Sequence, residues 1–185
     1  MLIDPDTSSL LIVDIQARLL PKMSAADAVV ANAAVLLKAA ARLDIPVLVS
    51  EQYRKGLGTT VAALEPLLPA RNIQGGTVVE KMAFSCMAEA DFAARFRALG
   101  RAQAVVTGIE AHVCVLQTAE QLLDDGVRVF VVADATSSRV PLSHERAMQR
   151  LRAAGAVIVT TEMVVFEWLR RAGTPEFKDI SALIK

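Results

Sequence analysis

The sequence predicts an α/β protein, a three-layer α/β/α sandwich around a central six-stranded parallel sheet, Rossmann-like in its winding. Three observations carry this expectation. Short runs rich in β-branched residues alternate with helical patterns from one end of the chain to the other. The runs are apolar at successive positions rather than at every second one, as strands buried on both faces are. Right-handed β-α-β crossovers then place helices on each side of the sheet.

Taken in order, Ser9 to Asp14 is an apolar strand that ends in a carboxylate. A helix follows, with Ser24 and Asp27 as a capping signal and Val29, Ala33, Leu36, Leu37, Ala40 and Leu43 on one face. Pro46–Ser50 is the second strand, followed by the polar, glycine-containing loop Glu51–Thr60 and a short helical segment before Pro66 and Pro69. Thr77–Lys81 is the third strand, ending in a lysine. Phe92, Phe96 and Leu99 form the stripe of the next helix, which Gly100 terminates. Ala102–Thr107 is the fourth strand. After it, Val115, Leu116, Ala119, Leu122 and Leu123 recur at helical spacing up to Gly126, so Cys114 falls in the first turn. Val127–Ala133 is the fifth strand, ending at Asp134. Ser143 is placed to cap the next helix, with Leu142 and Ala147 as a hydrophobic staple. Ala156–Val159 is the sixth strand. Helices over about 162–172 and from Thr174-Pro175 complete a single domain spanning 1–185.

Composition narrows the function classes. The chain is 54% hydrophobic, yet no apolar stretch reaches the roughly 18 residues of a membrane span. Its 20 basic and 20 acidic residues leave no net charge to attract nucleic acid or an anionic membrane. At 4% aromatic it offers little for base stacking. The segment Met1–Asp6 has neither a basic nor an apolar signal region, which predicts a cytoplasmic protein. Two cysteines, Cys86 and Cys114, in that setting argue against a structural disulfide. Gly56–Thr60 lacks the lysine of a phosphate-binding loop, and no G-x-G-x-x-G follows a strand.

In a sheet of this kind the ligand crevice lies outside the carboxyl ends of the strands. Asp14, Lys81 and Cys114 all fall at or just beyond such ends. Free N–H groups at a helix start favour a thiolate. A nearby lysine would stabilise it, and a carboxylate could take the thiol proton and later activate water. Each residue has a plainer reading: packing for Cys114, a cap for Asp14, a solvated side chain for Lys81. The shared topological position lifts the trio above those readings. Cys86 reads as packing, Trp168 as core or interface, and Asp134 as a strand-end cap.

The motifs Leu11-Ile12-Val13-Asp14-Ile15-Gln16, Glu80-Lys81-Met82-Ala83-Phe84-Ser85 and Thr107-Gly108-Ile109-Glu110-Ala111-His112-Val113-Cys114 occur in the order and spacing of a known family. By them the chain resembles the isochorismatase-like cysteine hydrolases. The segments Glu51-Gln52-Tyr53, Gly56-Leu57-Gly58, Asp134–Arg139 and Pro175–Ile180 add a likeness to the isochorismatase-domain-containing subgroup.

The resemblance implies a metal-independent hydrolase that cleaves a C–N bond of a small amide or carbamoyl-type substrate through a thioester on Cys114. Asp14 would be its proton shuttle, and Lys81 would support the thiolate and orient Asp14. It implies a cis peptide at Ile109–Glu110 and an oxyanion hole from the backbone N–H groups of Glu110 and Cys114. Candidate substrate contacts are Gln16, Gln52, Tyr53, Phe84 and His112, a structural histidine being the alternative for the last. A homo-oligomer, dimer or tetramer, is implied by resemblance only. Many relatives carry a small residue where this chain has Glu110; its carboxylate faces either the crevice or an interface. Nicotinamidases of the family hold a metal through an Asp-x-His segment, but Ser50–Thr60 contains no histidine, and His112 and His144 are the only two in the chain. No metal and no cofactor are therefore expected. True isochorismatases lack the cysteine. Two further readings remain, a non-catalytic interaction protein and a thiol redox protein using Cys114; a retained Asp–Lys pair favours hydrolysis over both.

Overall fold

A computed structural model describes residues 1–69 and 76–184. Six strands, β1 Ser8–Val13, β2 Val47–Gln52, β3 Val78–Lys81, β4 Gln103–Ile109, β5 Arg128–Ser137 and β6 Val157–Val159, form one parallel sheet in the order β3-β2-β1-β4-β5-β6. The helices are α1 Ala26–Arg42, the short α2 Arg54–Leu57, α3 Ala90–Ala98, α4 Leu116–Asp124, α5 Pro141–Ala154, α6 Thr161–Leu169 and α7 Pro175–Ser181.

The all-apolar strands behave as their pattern dictates. Leu10 and Ile12 of β1, Val105 of β4, and Phe130 and Val132 of β5 pack with α1, α6 and α7 on one face of the sheet. Their alternates Leu11, Val13, Ala104, Val106, Val129 and Val131 pack with α3, α4 and α5 on the other. The central strands β1, β2 and β4 are buried at every position, as strands covered on both faces are. Trp168 is buried and donates its Nε1–H to Ser8 Oγ at 2.9 Å, a core residue with its polar end satisfied.

The strand order reverses between β1 and β4, and this switch point fixes where a crevice can open. Asp14 follows β1 directly, and the nucleophile loop follows β4. Lys81 ends β3, which is not a neighbour of β1: β2 lies between them, and its last residue Gln52 pairs in register with Lys81.

Several local expectations are corrected. Ser24 does not cap α1; its Oγ donates to Ser138 O at 2.9 Å, tying the start of α1 to the end of β5, and Ala25 occupies the cap without a side-chain bond. Ser143 does not cap α5, which begins at Pro141 behind Val140, and Leu142 stands exposed rather than stapled. β5 runs past Asp134 to Ser137, because a register shift between Val106 and Gly108 lets Thr136 and Ser137 pair with Gly108 and Ile109. Asp134 instead holds the start of α6, its Oδ1 accepting from Thr161 N at 2.8 Å, while Thr160 caps that helix. Thr174 caps α7 ahead of Pro175 as the sequence suggests, accepting from Phe177 N at 3.1 Å. Among the described residues no helix is long and apolar enough to cross a membrane.

Candidate active site

Asp14 leaves β1 with a left-handed φ of 52°. Its carboxylate is fully buried. Ser50 Oγ donates to Oδ1 at 2.6 Å, and Lys81 Nζ stands 2.8 Å from Oδ2. Lys81 is buried too and donates to Gln52 Oε1 (2.6 Å), Phe84 O (2.9 Å) and Ala83 O (3.2 Å). A buried ion pair of this kind is costly to assemble and weak evidence for stability. Its placement at the strand switch point argues for chemistry instead.

Cys114 is reached from the other side. β4 ends at Ile109, the Ile109–Glu110 peptide is cis, and residues Ala111–Val115 form a wide π-helical turn before α4 begins. The thiol lies beside Asp14, close enough to interact directly with its carboxylate, and the residue is 5% exposed. The structure thus brings Asp14, Lys81 and Cys114 together.

Its electrostatics differ from the sequence expectation of a thiolate. Burial pushes the Cys114 thiol well above its ordinary range, and the Asp14 carboxylate pushes it further; Lys81 opposes both without prevailing. Burial works against the charge on Lys81, but Asp14 and, to a smaller degree, the two thiols outweigh it and hold the ammonium above its usual range. At rest Cys114 is therefore a thiol and Lys81 an ammonium. Cys86, fully buried behind Ser50 and Thr118, is raised to about 11, by burial first and by Asp14 second. It packs, as expected, yet it packs against the site, which the sequence did not reveal.

The remaining candidates divide. Gln16 is fully buried and spends its amide on the backbone: Oε1 accepts from Gln52 N at 2.7 Å, and Nε2 donates to Gln52 O (3.0 Å) and Gly58 O (2.6 Å). Gln52 gives its Oε1 to Lys81 and donates Nε2 to Met82 O at 2.8 Å. In place of the substrate contacts expected of them, both amides are scaffold. Tyr53 (46% exposed) and Phe84 (55% exposed) stand at the surface. Phe84 lines a cavity of about 240 Å³ together with Leu116 and Arg150. His112 lines a second, of about 340 Å³, that shares those same two residues. A ring nitrogen of His112 also lies 2.9 Å from Ser138 Oγ.

The Glu110 carboxylate turns to the β5 loop, where Oε2 pairs with Arg139 Nε at 3.0 Å and accepts from Arg139 N at 3.2 Å. Neither the Glu110–Arg139 clamp nor the Ser50 bond to Asp14 was foreseen. Among the described residues, no three His, Cys, Asp or Glu side chains gather so as to hold a metal ion.

Comparison with known proteins gives consistent matches. The isochorismatase domain profile matches residues 8–163. Isochorismatase domain-containing protein 2 of Danio rerio is 40% identical over 178 residues, covering 96% of this chain and 86% of its own. The MAR1 ribonuclease structure from Caenorhabditis elegans superposes with a TM-score of 0.91 at 33% identity, over 100% of this chain and 92% of that one. YcaC from Pseudomonas aeruginosa, solved with hexane-2,5-diol and covalent acrylamide, has a TM-score of 0.89 at 26% identity, over 98% and 91% of the two chains.

Proposed function

This chain belongs to the isochorismatase family, a family of hydrolase fold, and from that premise we propose that it is a metal-independent cysteine hydrolase cleaving a C–N bond of a small amide or carbamoyl compound. The observation that carries the reading is a thiol lying against a fully buried carboxylate–ammonium pair. Neither a passive interaction surface nor a redox thiol needs a proton acceptor locked beside sulfur by Ser50 and Lys81.

The protonation states set the order of events. Asp14 takes the Cys114 proton as sulfur attacks the carbonyl carbon, so thiolate need not exist beforehand. The oxyanion forms where the backbone N–H groups of Glu110 and Cys114 can meet it, each such donor being worth about 3–4 kcal/mol. Collapse breaks the C–N bond, and Asp14 returns the proton to the departing amine. Water, deprotonated by Asp14, then hydrolyses the thioester, and the proton goes back to sulfur. Lys81 keeps Asp14 oriented throughout. Phe84 and His112, which line two cavities sharing Leu116 and Arg150, are the substrate contacts of this reading. That the P. aeruginosa neighbour carries a covalent acrylamide, itself a small amide, supports a reactive group in this fold. The ribonuclease name of the C. elegans neighbour is met here by a chain with no excess of basic residues.

The test is an ammonia- and amine-release screen over amides, ureas and carbamoyl compounds, with RNA cleavage run alongside. Turnover of one amide class that disappears in Cys114→Ala is expected. Activity that survives in Cys114→Ala overturns the mechanism, and cleavage of RNA alone overturns the substrate class.

The pH profile follows from the raised groups. Cys114 reacts from its protonated form and Lys81 from its charged form, and both are held above their ordinary values. The rate constant kcat/KM should therefore stay flat through about pH 8.5, where an ordinary thiol titrates. A rising limb centred there would show that a preformed thiolate of ordinary pKa, not the thiol–carboxylate pair, sets the rate.

A further inference from the structure

Lys81 reaches Asp14 from two strands away, and the end of β2 lies in its path. The residue in that position is Gln52, whose amide has one possible orientation. Its Nε2 donates to Met82 O, so Oε1 must face the ammonium, 2.6 Å distant; a flipped amide would set NH2 against NH3⁺. Gln52 is itself held at both backbone atoms by Gln16, whose Nε2 continues to Gly58 O. Apart from the Asp14 carboxylate, the acceptors around Nζ are Gln52 Oε1 and the carbonyls of Ala83 and Phe84. The two carbonyls belong to the strap leaving β3, on Lys81's own segment. Gln52 is the acceptor supplied by another strand, and so the one that fixes where the ammonium stands relative to β1.

We propose that Gln52, clamped by Gln16, is the positioning residue that holds the Lys81 ammonium against Asp14. A neutral acceptor suits the task, because a carboxylate there would compete with Asp14 for the lysine and add negative charge beside the thiol. This role rests on the hydrolase reading above.

The experiment follows carboxamidomethylation of Cys114 by iodoacetamide against pH, read on the Cys114 peptide by mass spectrometry. It compares the wild-type chain with Gln52→Ala and Gln52→Met, with Lys81→Ala as reference, and adds kcat and KM on the amide found by the screen. Methionine keeps the volume of glutamine without its acceptor, so it decides the matter if the alanine variant fails to fold. Both changes are neutral, so any change at the thiol must come through Lys81. The expected result is slower alkylation of Cys114 at each pH, in the same direction as in Lys81→Ala, with kcat lower by about 10–100-fold and KM changed by less than about twofold. A folded Gln52 variant with the wild-type alkylation and kcat, or a loss confined to KM, overturns the role of Gln52 while Lys81→Ala still slows alkylation. If Lys81→Ala leaves alkylation unchanged, or Cys114→Ala still turns over substrate, the hydrolase reading falls and the positioning role falls with it.

Discussion

Replacing Asp14 with asparagine should separate the reactivity of the thiol from turnover, in opposite directions. Hydrolysis is expected to fall by at least about 10³-fold, because the residue that accepts, delivers and re-accepts the proton is gone. Alkylation of Cys114 near neutral pH should accelerate. The sign follows from what surrounds the sulfur: burial and the Asp14 carboxylate both raise the thiol, while Lys81 alone lowers it. Removing the carboxylate takes away one raising influence, so the thiol titrates lower and more thiolate is present at a given pH. The change also leaves Lys81 without its counter-charge in a buried site, a situation worth about 3–5 kcal/mol of lost stability. The double variant Asp14→Asn/Lys81→Met removes that orphan, and its alkylation read against Lys81→Met alone isolates the carboxylate should the single variant melt early. Alkylation falling together with kcat would overturn this sign, showing that the carboxylate does not hold the thiol up. Turnover that survives would refute any role for it in proton transfer.

The same electrostatics show why some of this site was legible in the sequence and some was not. Strand ends are local features: an apolar run that stops at Asp14 or Lys81 can be seen without a fold, and parallel topology sends those ends to one edge. The apolar runs also gave the sheet, with boundaries shifted by a residue or two except at β5. There the register shift that extends the strand to Ser137 arises from pairing with Gly108 and has no local signature. The state of Cys114 could not be read in the same way. A helix start argues for a thiolate, but how deeply the sulfur is buried, and which carboxylate lies beside it, are tertiary facts, and they prevail. The glutamines misled for a related reason. Gln16 and Gln52 adjoin motif residues, so they look like substrate contacts. Only the pairing of β2 between β1 and β3 shows that their amides are spent on the backbone and on Lys81. Ser24 and Ser143 carry capping chemistry in their sequence, yet Ser24 is taken by Ser138 and α5 starts earlier, on Pro141.

The second large effect is expected at Gly108, where alanine should destabilise the fold by about 4 kcal/mol or more. Gly108 sits in β4 at a φ of 122°, in register with Val13 and one residue before Ile109. A Cβ built there would lie 2.0 Å from Val13 O and 2.7 Å from both Val13 C and Val13 N. These are backbone atoms of the central strand, so no rotamer change can relieve the contact. Either β1 and β4 part at their carboxyl ends or the residue abandons its conformation, itself unfavourable by about 1–3 kcal/mol. Val13 precedes Asp14, and Gly108 opens the segment that carries Glu110 and Cys114, so the same separation would pull base from nucleophile. Gly155 provides the comparison: it too has positive φ, 108°, at the end of α5, but a Cβ there meets nothing within 4 Å. Alanine at 155 should then cost only the conformational part, about 1–2 kcal/mol. Thermal melts of the two variants should differ by several degrees, with Gly108→Ala also losing activity in whatever fraction remains folded. Equal melting temperatures would mean that the strand ends are free to move apart. A carboxylate and a thiol could not then be held in contact by the sheet alone.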